Sequence, residues 1–450
     1  MSFSAYPVYK GSGVEWLGAI PEGWEPIPFK YIADFINGMA FKPEQWSEGG
    51  IPIIRIENLN NGESFNCYEG SVEERYHVKT GDLLFGWSGN RGTSFGPFLW
   101  HGIGLHYLNQ HIFRIADFRC DKKWLYWTLR AVTKAIEDQA HGIIGMVHVT
   151  KGKLGGIKIP LLPRPEQTQI ARFLDHETDR IDALIEEQQR LIELLKEKRQ
   201  AVISRAVTKG LDPTVLMKDS GVEWLGEVPA HWEITQIKRR CDLITDGAHI
   251  SPETENGVYC FVSTRDVSDE GIDFEACLRT SAASYEYLVK TGCQPAAGDV
   301  LFSKDGTIGR TIVVGENSPK FVVASSLIII RPDIEELLPS YLDFLCQSWV
   351  VSQQVDGFVK GAGLPRLSIQ NLTKVVGVFP PLEEQVLITE FLQLRCAAAS
   401  QLTSEAWRTM ELLKERRSAL ISAAVTGKID VRSWQPPASA PTPELVQEVV

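Results

Sequence analysis

Ser12-Gly13-Val14-Glu15-Trp16-Leu17-Gly18 recurs letter for letter as Ser220-Gly221-Val222-Glu223-Trp224-Leu225-Gly226. The same offset of 208 residues carries Pro21 onto Pro229 and Trp24 onto Trp232. Farther along, Glu193-Leu194-Leu195-Lys196-Glu197 recurs as Glu411-Leu412-Leu413-Lys414-Glu415, now at an offset of 218. A unit of this length is too long for a solenoid repeat and suits a domain plus a connector. The chain is one device written twice.

The bulk properties narrow what that device is. The chain has 450 residues, enough for two to four domains with proper cores. No run of about 18 apolar residues predicts a membrane span, and the first residues do not read as a secretory signal. Eight cysteines are scattered with no C-x-x-C pair, as expected of free thiols in a reducing cytoplasm. The net charge of −11 argues against wholesale polyanion binding. Residues 24–160 carry a net +1 and residues 232–380 a net −6. A nucleic-acid function therefore needs local basic faces or positive charge from a partner.

Each copy resolves into three parts. The opening segment, fixed by Gly, Pro and Trp, reads as a rigid irregular strap on a domain surface. A variable body follows. Gly81-Asp82-Leu83-Leu84-Phe85 answers Gly298-Asp299-Val300-Leu301-Phe302, and Ile51-Pro52-Ile53-Ile54 and Val258-Tyr259-Cys260-Phe261-Val262 are further β-rich runs. Phe321-Val322-Val323 and Leu327-Ile328-Ile329-Ile330 read as strands, and the segments at Trp124 and Tyr341 as a turn or two of helix. Each body is thus an α+β domain with a mostly β core.

The third part is a long helix. Pro165-Glu166-Gln167 and Glu383-Glu384-Gln385 open the two copies, placing carboxylates beside the free N–H groups of a first turn. No proline or glycine interrupts residues 166–207. A heptad reading puts Leu174, Ile181, Gln188, Leu195 and Val202 at position a, with Ile170, Glu177, Leu184, Leu191, Lys198 and Arg205 at d. The second copy places Leu392, Ala399, Ala406, Leu413 and Leu420 at a, and Ile388, Leu402 and Ala423 among the d residues. Each seam needs a partner, and the nearest one of matching pattern is the other copy. The expected architecture is α+β: two mostly-β recognition domains separated by two long antiparallel helices that form an intramolecular coiled coil, with pseudo-twofold symmetry. The expected boundaries are strap and first body 1–162, first helix 163–210, strap and second body 211–380, second helix 381–432, and a disordered, proline-rich tail 433–450. Two unlike heads on such helices make a ruler, and DNA, with features repeating along one axis, is the natural object to measure.

The duplicated strap, the Gly-Asp-hydrophobic-Leu-Phe strand, the Pro380-Pro381-Leu382-Glu383-Glu384-Gln385 helix start and the closing helix together resemble the specificity subunit of type I restriction–modification systems. The resemblance spans about residues 10–432. The first helix departs from the motif, with Leu162-Pro163-Arg164-Pro165 ahead of Glu166-Gln167. The resemblance implies that the bodies are target recognition domains, each reading half of a split, asymmetric site in double-stranded DNA. It implies that the helices dock two methyltransferase subunits, which restriction and translocase subunits join. It also implies a chain with no catalytic centre, S-adenosylmethionine, ATP and Mg²⁺ belonging to the partners.

The residues themselves offer little chemistry to set against this. There is no G-x-x-x-x-G-K-[ST] loop and no Asp/Asn-Pro-Pro-aromatic segment of an amino-methyltransferase. Asp299 and Lys304 mimic part of a nuclease site, but Trp87 stands where Lys304 would be in the first copy, so Asp82 and Asp299 read as structural. No H-x-x-x-H pair suggests a metal, and His101, His106 and His111 read as packing or DNA-backbone residues. The alternative is a chain with its own methyltransferase or endonuclease activity. For DNA reading, side chains with hydrogen-bonding heads after strand ends and near glycines are the candidates. These are Arg55, Asn58, Asn60, Asn61, Ser88, Asn90 and Arg91 in the first body, and Thr264, Arg265, Lys304, Thr307 and Arg310 in the second. Lys151, Lys153 and Arg366 are candidates for phosphate contacts.

Overall fold

A computed structural model describes residues 3–60, 62–90, 92–139, 146–254, 257–268, 271–359 and 365–437. The chain divides into two compact units, residues 1–188 with 408–450, and residues 189–407. The two long helices, Arg164–Lys209 and Leu382–Val425, contribute a segment to each unit.

In the first unit the strap is a short ribbon. Tyr9–Gly11 pairs antiparallel with Ala19–Pro21. The turn between them closes through Gly18 N–H to Val14 O at 2.9 Å, with Gly18 at φ +61°, a conformation that favours glycine. Leu17 and Trp24 are buried beneath it. The second strap repeats this, with Met217–Asp219 on Glu227–Pro229 and Trp232 buried.

Each body holds two sheets of matching topology. In the first, Gly96–Leu99, Leu83–Gly86, Ile112–Ala116 and Asp34–Asn37 lie side by side, all antiparallel. A second sheet is ordered Cys67–Tyr68, Ile51–Ile54, His106–Leu108 and His77–Val78, with Ile51–Ile54 and His106–Leu108 parallel. In the second body Thr311–Val313, Val300–Ser303, Leu327–Pro332 and Cys241–Asp246 repeat the first arrangement. Leu278–Thr280, Tyr259–Val262 and Phe321–Val323 repeat three of the four strands of the second, without a counterpart of His77–Val78 among the described residues and again with one parallel pair. The Leu83-Leu84-Phe85 and Val300-Leu301-Phe302 runs are fully buried, because their sheets are covered on both faces.

The segment at Trp124 extends further than a turn or two, as the helix Lys122–Gln139. That at Tyr341 forms Pro339–Gln347, followed after Ser348 by Trp349–Val359.

Within each unit the two long-helix segments run antiparallel. In the first, Asp182 pairs with Arg417 at 3.1 Å, while Gln169 donates to the carbonyls of Val431 and Trp434. In the second, Ile203 shares a core with Ile388 and Leu392, while Arg199 meets Cys396.

The seam register differs from the heptad expectation. Position a is buried or half-buried as expected, but the other inward row sits one residue beyond the expected d. It comprises Thr178, Ile185, Ile192, Arg199 and Ala206, and Thr389, Cys396, Thr403, Met410, Arg417 and Ala424. Of the expected d row, Leu184, Leu191 and Leu402 are exposed, while Ile170, Glu177 and Ile388, nearer the helix starts, are buried as expected. The partner face is set by Ile185 and Ile192, whose neighbours at the preceding position are also leucines, so the pattern alone admits either row.

Trp434 packs on Phe173 and His176, so the first residues of the tail expected to be disordered from 433 are instead packed on the long helix. Residues 438–450 lie outside the described residues. Among the described residues no helix is long and apolar enough to cross a membrane.

Candidate nucleic-acid interface

Three strand exits converge in each body. In the first, the turn after Ile51–Ile54, the loop after Leu83–Gly86 and residues 109–111 after His106–Leu108 surround a cleft of about 320 Å³. Arg55, Asn60, Asn90, Asn109 and His111 line it, with Glu57 as its one carboxylate among the described residues. In the second body, the turn after Tyr259–Val262, residues 305–310 and Ser326 surround a cleft of about 390 Å³. Thr264, Arg265, Thr307 and Arg310 line it, with Asp305 as its one carboxylate among the described residues. The two clefts occupy the same topological position but differ in lining: three amides and a histidine mark the first, and a second arginine with further hydroxyls marks the second.

The parallel strand pair explains why. Two parallel strands end on the same edge, so both of their exits, together with that of the Gly-Asp strand, open at one place. Loops at such an edge carry no core residues and are free to present polar groups.

Local hydrogen bonds shape each rim. In the first cleft Asn90 N–H donates to Ser94 Oγ at 2.9 Å, and the Asn90 carbonyl accepts from Thr93, Ser94 and Phe95. Gly92 N–H donates to Glu137 at 3.0 Å, fastening this loop to the helix behind it. The Arg55 guanidinium donates to Asn66 Oδ1 at 2.5 Å, pairs with Glu57 at 3.0 Å and lies over the Trp46 ring at 4.6 Å. It is held in one orientation beside the cleft. His111 packs against Trp87, 5.5 Å between ring centroids.

In the second cleft Thr264 donates through Oγ1 to Ser326 O and through its backbone N–H to Ser326 Oγ, both at 3.1 Å. Ser303 Oγ accepts from Arg310 N–H at 2.8 Å and donates to Thr307 O, folding residues 303–310 into a compact hook. Arg310 donates to Val267 O at 2.7 Å. Arg265 is exposed and has no partner among the described residues.

Several sequence candidates lie elsewhere. Asn58 is 5% exposed and accepts from Arg55 N–H while donating to the carbonyls of Gly62 and Ser64. It staples the turn and does not face the cleft. Lys304 is also turned inward, ion-paired with Asp246, because the hook that aims Thr307 outward aims its neighbour in. Ser88 is half-buried in a ribbon with His148. Arg366 stands beside the second cleft, 3.6 Å from Asp305 and near Ser325. Lys151 and Lys153 are exposed on the short helix Lys151–Gly156, capped by Thr150, and line neither cleft. Asn61 and Arg91 lie outside the described residues.

Sequence reading missed Asn109, Thr93, Ser94, Ser263, Asp305 and Ser326 as cleft residues. A usable signal existed for Asn109 and Ser326, since both closely follow a β-rich run, but nothing in sequence announces that the run is parallel to a distant one.

The groups that imitate chemistry are structural. The Asp299 carboxylate, 1% exposed, receives two hydrogen bonds from Arg331 at 2.7 Å each and one from Ala296 N–H at 2.7 Å. Asp82 accepts Lys79 N–H at 2.9 Å in the equivalent turn. His106 is buried against Phe65 and Trp100, and burial lowers its pKa, favouring the neutral ring. Among the described residues no three His, Cys, Asp or Glu side chains gather in a way that could hold a metal.

Comparison with known proteins gives one consistent answer. A family model described as the type I restriction modification DNA specificity domain matches twice, over residues 21–195 and 229–402. The Type I restriction enzyme EcoBI specificity subunit of Escherichia coli is 23% identical over 445 residues, covering 96% of this chain and 91% of that one. The Type I restriction enzyme MjaVIII specificity subunit of Methanocaldococcus jannaschii is 25% identical over 437 residues, covering 92% and 95%. A chain solved in work on complex assembly and conformational transition of the type I R-M system has the same fold, with a TM-score of 0.67, 15% identity and coverage of 91% of this chain and 99% of that one. With both copies of the repeat matched over most of their length, the chain belongs to the family of type I restriction–modification specificity subunits.

Proposed function

We propose that this chain reads a bipartite, asymmetric site in double-stranded DNA, one half through the cleft of each unit. The observation that carries this reading is the pair of clefts: equivalent strand exits, equivalent size, unlike side chains. Arg265, Arg310, Thr264 and Thr307 supply donors for major-groove acceptors in one half, and the amides Asn60, Asn90 and Asn109 supply paired donor and acceptor heads in the other. Such amides suit adenine, and a guanidinium such as that of Arg265, without a partner among the described residues, suits guanine. The expected boundaries 1–162 and 211–380 serve as the two exchangeable reading modules.

The long helices are the docking place for two methyltransferase subunits, which restriction and translocase subunits join in the cytoplasm. S-adenosylmethionine, ATP and Mg²⁺ act in those partners, and this chain is non-catalytic. The −11 net charge supports dependence on partners, since the chain by itself has little general attraction for DNA.

The test is an exchange of residues 211–380 for the corresponding segment of a family member with another specificity, followed by methylation mapping with the reconstituted methyltransferase. One half of the modified site changes and the other stays. A swap that alters both halves, or neither, overturns the reading. Incubating the purified chain alone with DNA gives neither cleavage nor methyl transfer.

A further inference from the structure

The first unit carries a second cleft, of about 510 Å³, behind the reading loop. Arg130 and Lys134 enter it from the helix Lys122–Gln139, and Lys414 and Arg417 from the second long helix. Thr93 lines this cleft and the reading cleft alike. We propose that Arg130 and Lys414 in this cleft seat the sugar–phosphate backbone of the duplex next to the half-site read by the first unit, an inference that rests on the DNA-reading function.

Four cations in one cleft stand out in a chain of net charge −11. Three carboxylates also line it, Glu15, Glu137 and Asp138. Two of them have local partners: Glu137 accepts Gly92 N–H, and Asp138 pairs with Lys134 at 2.6 Å. Arg417 pairs with Asp182, and its Nε is buried with no acceptor. Arg130 has no partner among the described residues, and Lys414, half-exposed, holds only Glu411, three residues away on its own helix. An exposed pair of that kind contributes little and yields readily to a phosphate. The Arg130 guanidinium and the weakly held Lys414 ammonium are therefore the donors available where a strand leaving the reading cleft past Thr93 would run.

The second copy is built differently at the corresponding place. Trp16 lines the open cleft, while its counterpart Trp224 is covered edge-on by Trp349, centroids 5.6 Å apart. Arg199, the counterpart of Arg417, donates to Gln347 Oε1 at 2.7 Å. The phosphate seat belongs to the first half-site alone.

The experiment uses the full complex with methyltransferase and measures binding of cognate and scrambled duplexes across a salt series. In the double variant Arg130→Ala/Lys414→Ala the slope of log K against log salt falls by about 0.9 for each contact removed, close to two for the pair. Both duplexes weaken by the same factor, and the methylated positions do not move. Lys196→Ala, at the counterpart of Lys414, leaves the slope unchanged. A single Arg130→Glu variant deepens the loss, and unchanged thermal unfolding of each variant shows that folding is not the cause. An unaltered slope overturns the proposal while leaving the reading function intact. Loss of methyltransferase with an unaltered slope also overturns it and assigns the cleft to a protein. Failure of the unaltered complex to distinguish the two duplexes sinks the reading function itself.

Discussion

The backbone N–H of Asp430 donates to the carbonyl of Ser4 at 2.7 Å, joining the two ends of the first unit. Helix alignment places Asp430 opposite Asp212, and strap alignment places Ser4 opposite the same residue. What the second copy achieves with a peptide linker, the first achieves with contacts. Tyr9 donates to Gly427 O at 2.9 Å, the Phe3 and Trp434 rings flank Phe173, and Val431 is fully buried. Removing residues 430–437 is expected to cost about 2–4 kcal/mol through lost apolar burial, lowering the transition of this unit by roughly 5–15 °C. Calorimetry of the truncated chain checks this, and a second transition that stays in place assigns the loss to the first unit.

Gln385 should matter far more than an uncharged helix residue ordinarily does. It is fully buried, accepts from Leu338 N–H and donates to the carbonyls of Pro380 and Glu336, all at 2.9 Å. Gln167 repeats the role, accepting Asp121 N–H at 2.7 Å and donating to Leu162 O at 2.8 Å. Replacing either glutamine by leucine strands buried backbone groups and is expected to cost about 2–4 kcal/mol. The urea midpoint for the affected unit reads the loss.

Asp299→Asn is expected to destabilise by about 2–4 kcal/mol, because it leaves Arg331 without its bidentate acceptor at a buried site. Asp82→Asn should cost under about 1 kcal/mol, since that carboxylate is half-exposed and accepts Lys79 N–H at a turn. Methylation per folded complex is unchanged in both. A specific activity that fell to zero while the fold persisted would restore a catalytic role.

Alkaline pH should loosen both units. Burial pushes the thiols of Cys120 and Cys241 up to about 12 from an ordinary 9.0. A raised folded pKa on an acid favours the neutral form, so the stabilisation is complete below pH 9. It is lost as pH rises from 9 to 12, where the unfolded thiols ionise and the folded ones do not. Denaturation midpoints at pH 8, 9.5 and 11 measure the decline, which Cys120→Ala makes shallower in the first unit.

At the clefts, position decides the phenotype. Arg265→Ala should relax discrimination at one base position by about 1–3 kcal/mol without moving the salt slope as a phosphate contact would. Asn58→Ala should instead lower the stability of the first unit, leaving the modified sequence as it was, because Asn58 is spent on its own turn. Methylation mapping and thermal unfolding separate the two effects.

The duplication, the helix starts and the Gly-Asp strand were legible because each is a local pattern. Gly18 and Leu83 have roles that their own neighbourhoods announce. The seam register was harder to read. Leucines at 184, 191 and 194 and isoleucines at 185 and 192 offer two adjacent stripes, and only the partner helix selects one. The clefts were half legible. Asn60, Asn90, Arg265 and Thr307 follow strand ends and line the clefts, while Asn109 and Ser326 arrive through parallel pairing across 54 and 61 residues (Ile53 with Tyr107, Cys260 with Phe321), which leaves no local trace. Lys304 and Thr307 have similar sequence surroundings, and a hook held by the Ser303 hydroxyl sends one in and the other out.

The hook at 303–310 is fastened by backbone groups, the Ser303 hydroxyl and the inward Lys304–Asp246 ion pair, and the sheet beneath it buries mostly aliphatic and aromatic residues. Its tip, at Gly306 and Thr307, is exposed and carries no core side chain. New preferences can accumulate there by drift, one replacement at a time, while the scaffold below remains under ordinary selection for folding, and a lineage can acquire a new address without ever passing through an unfolded ancestor.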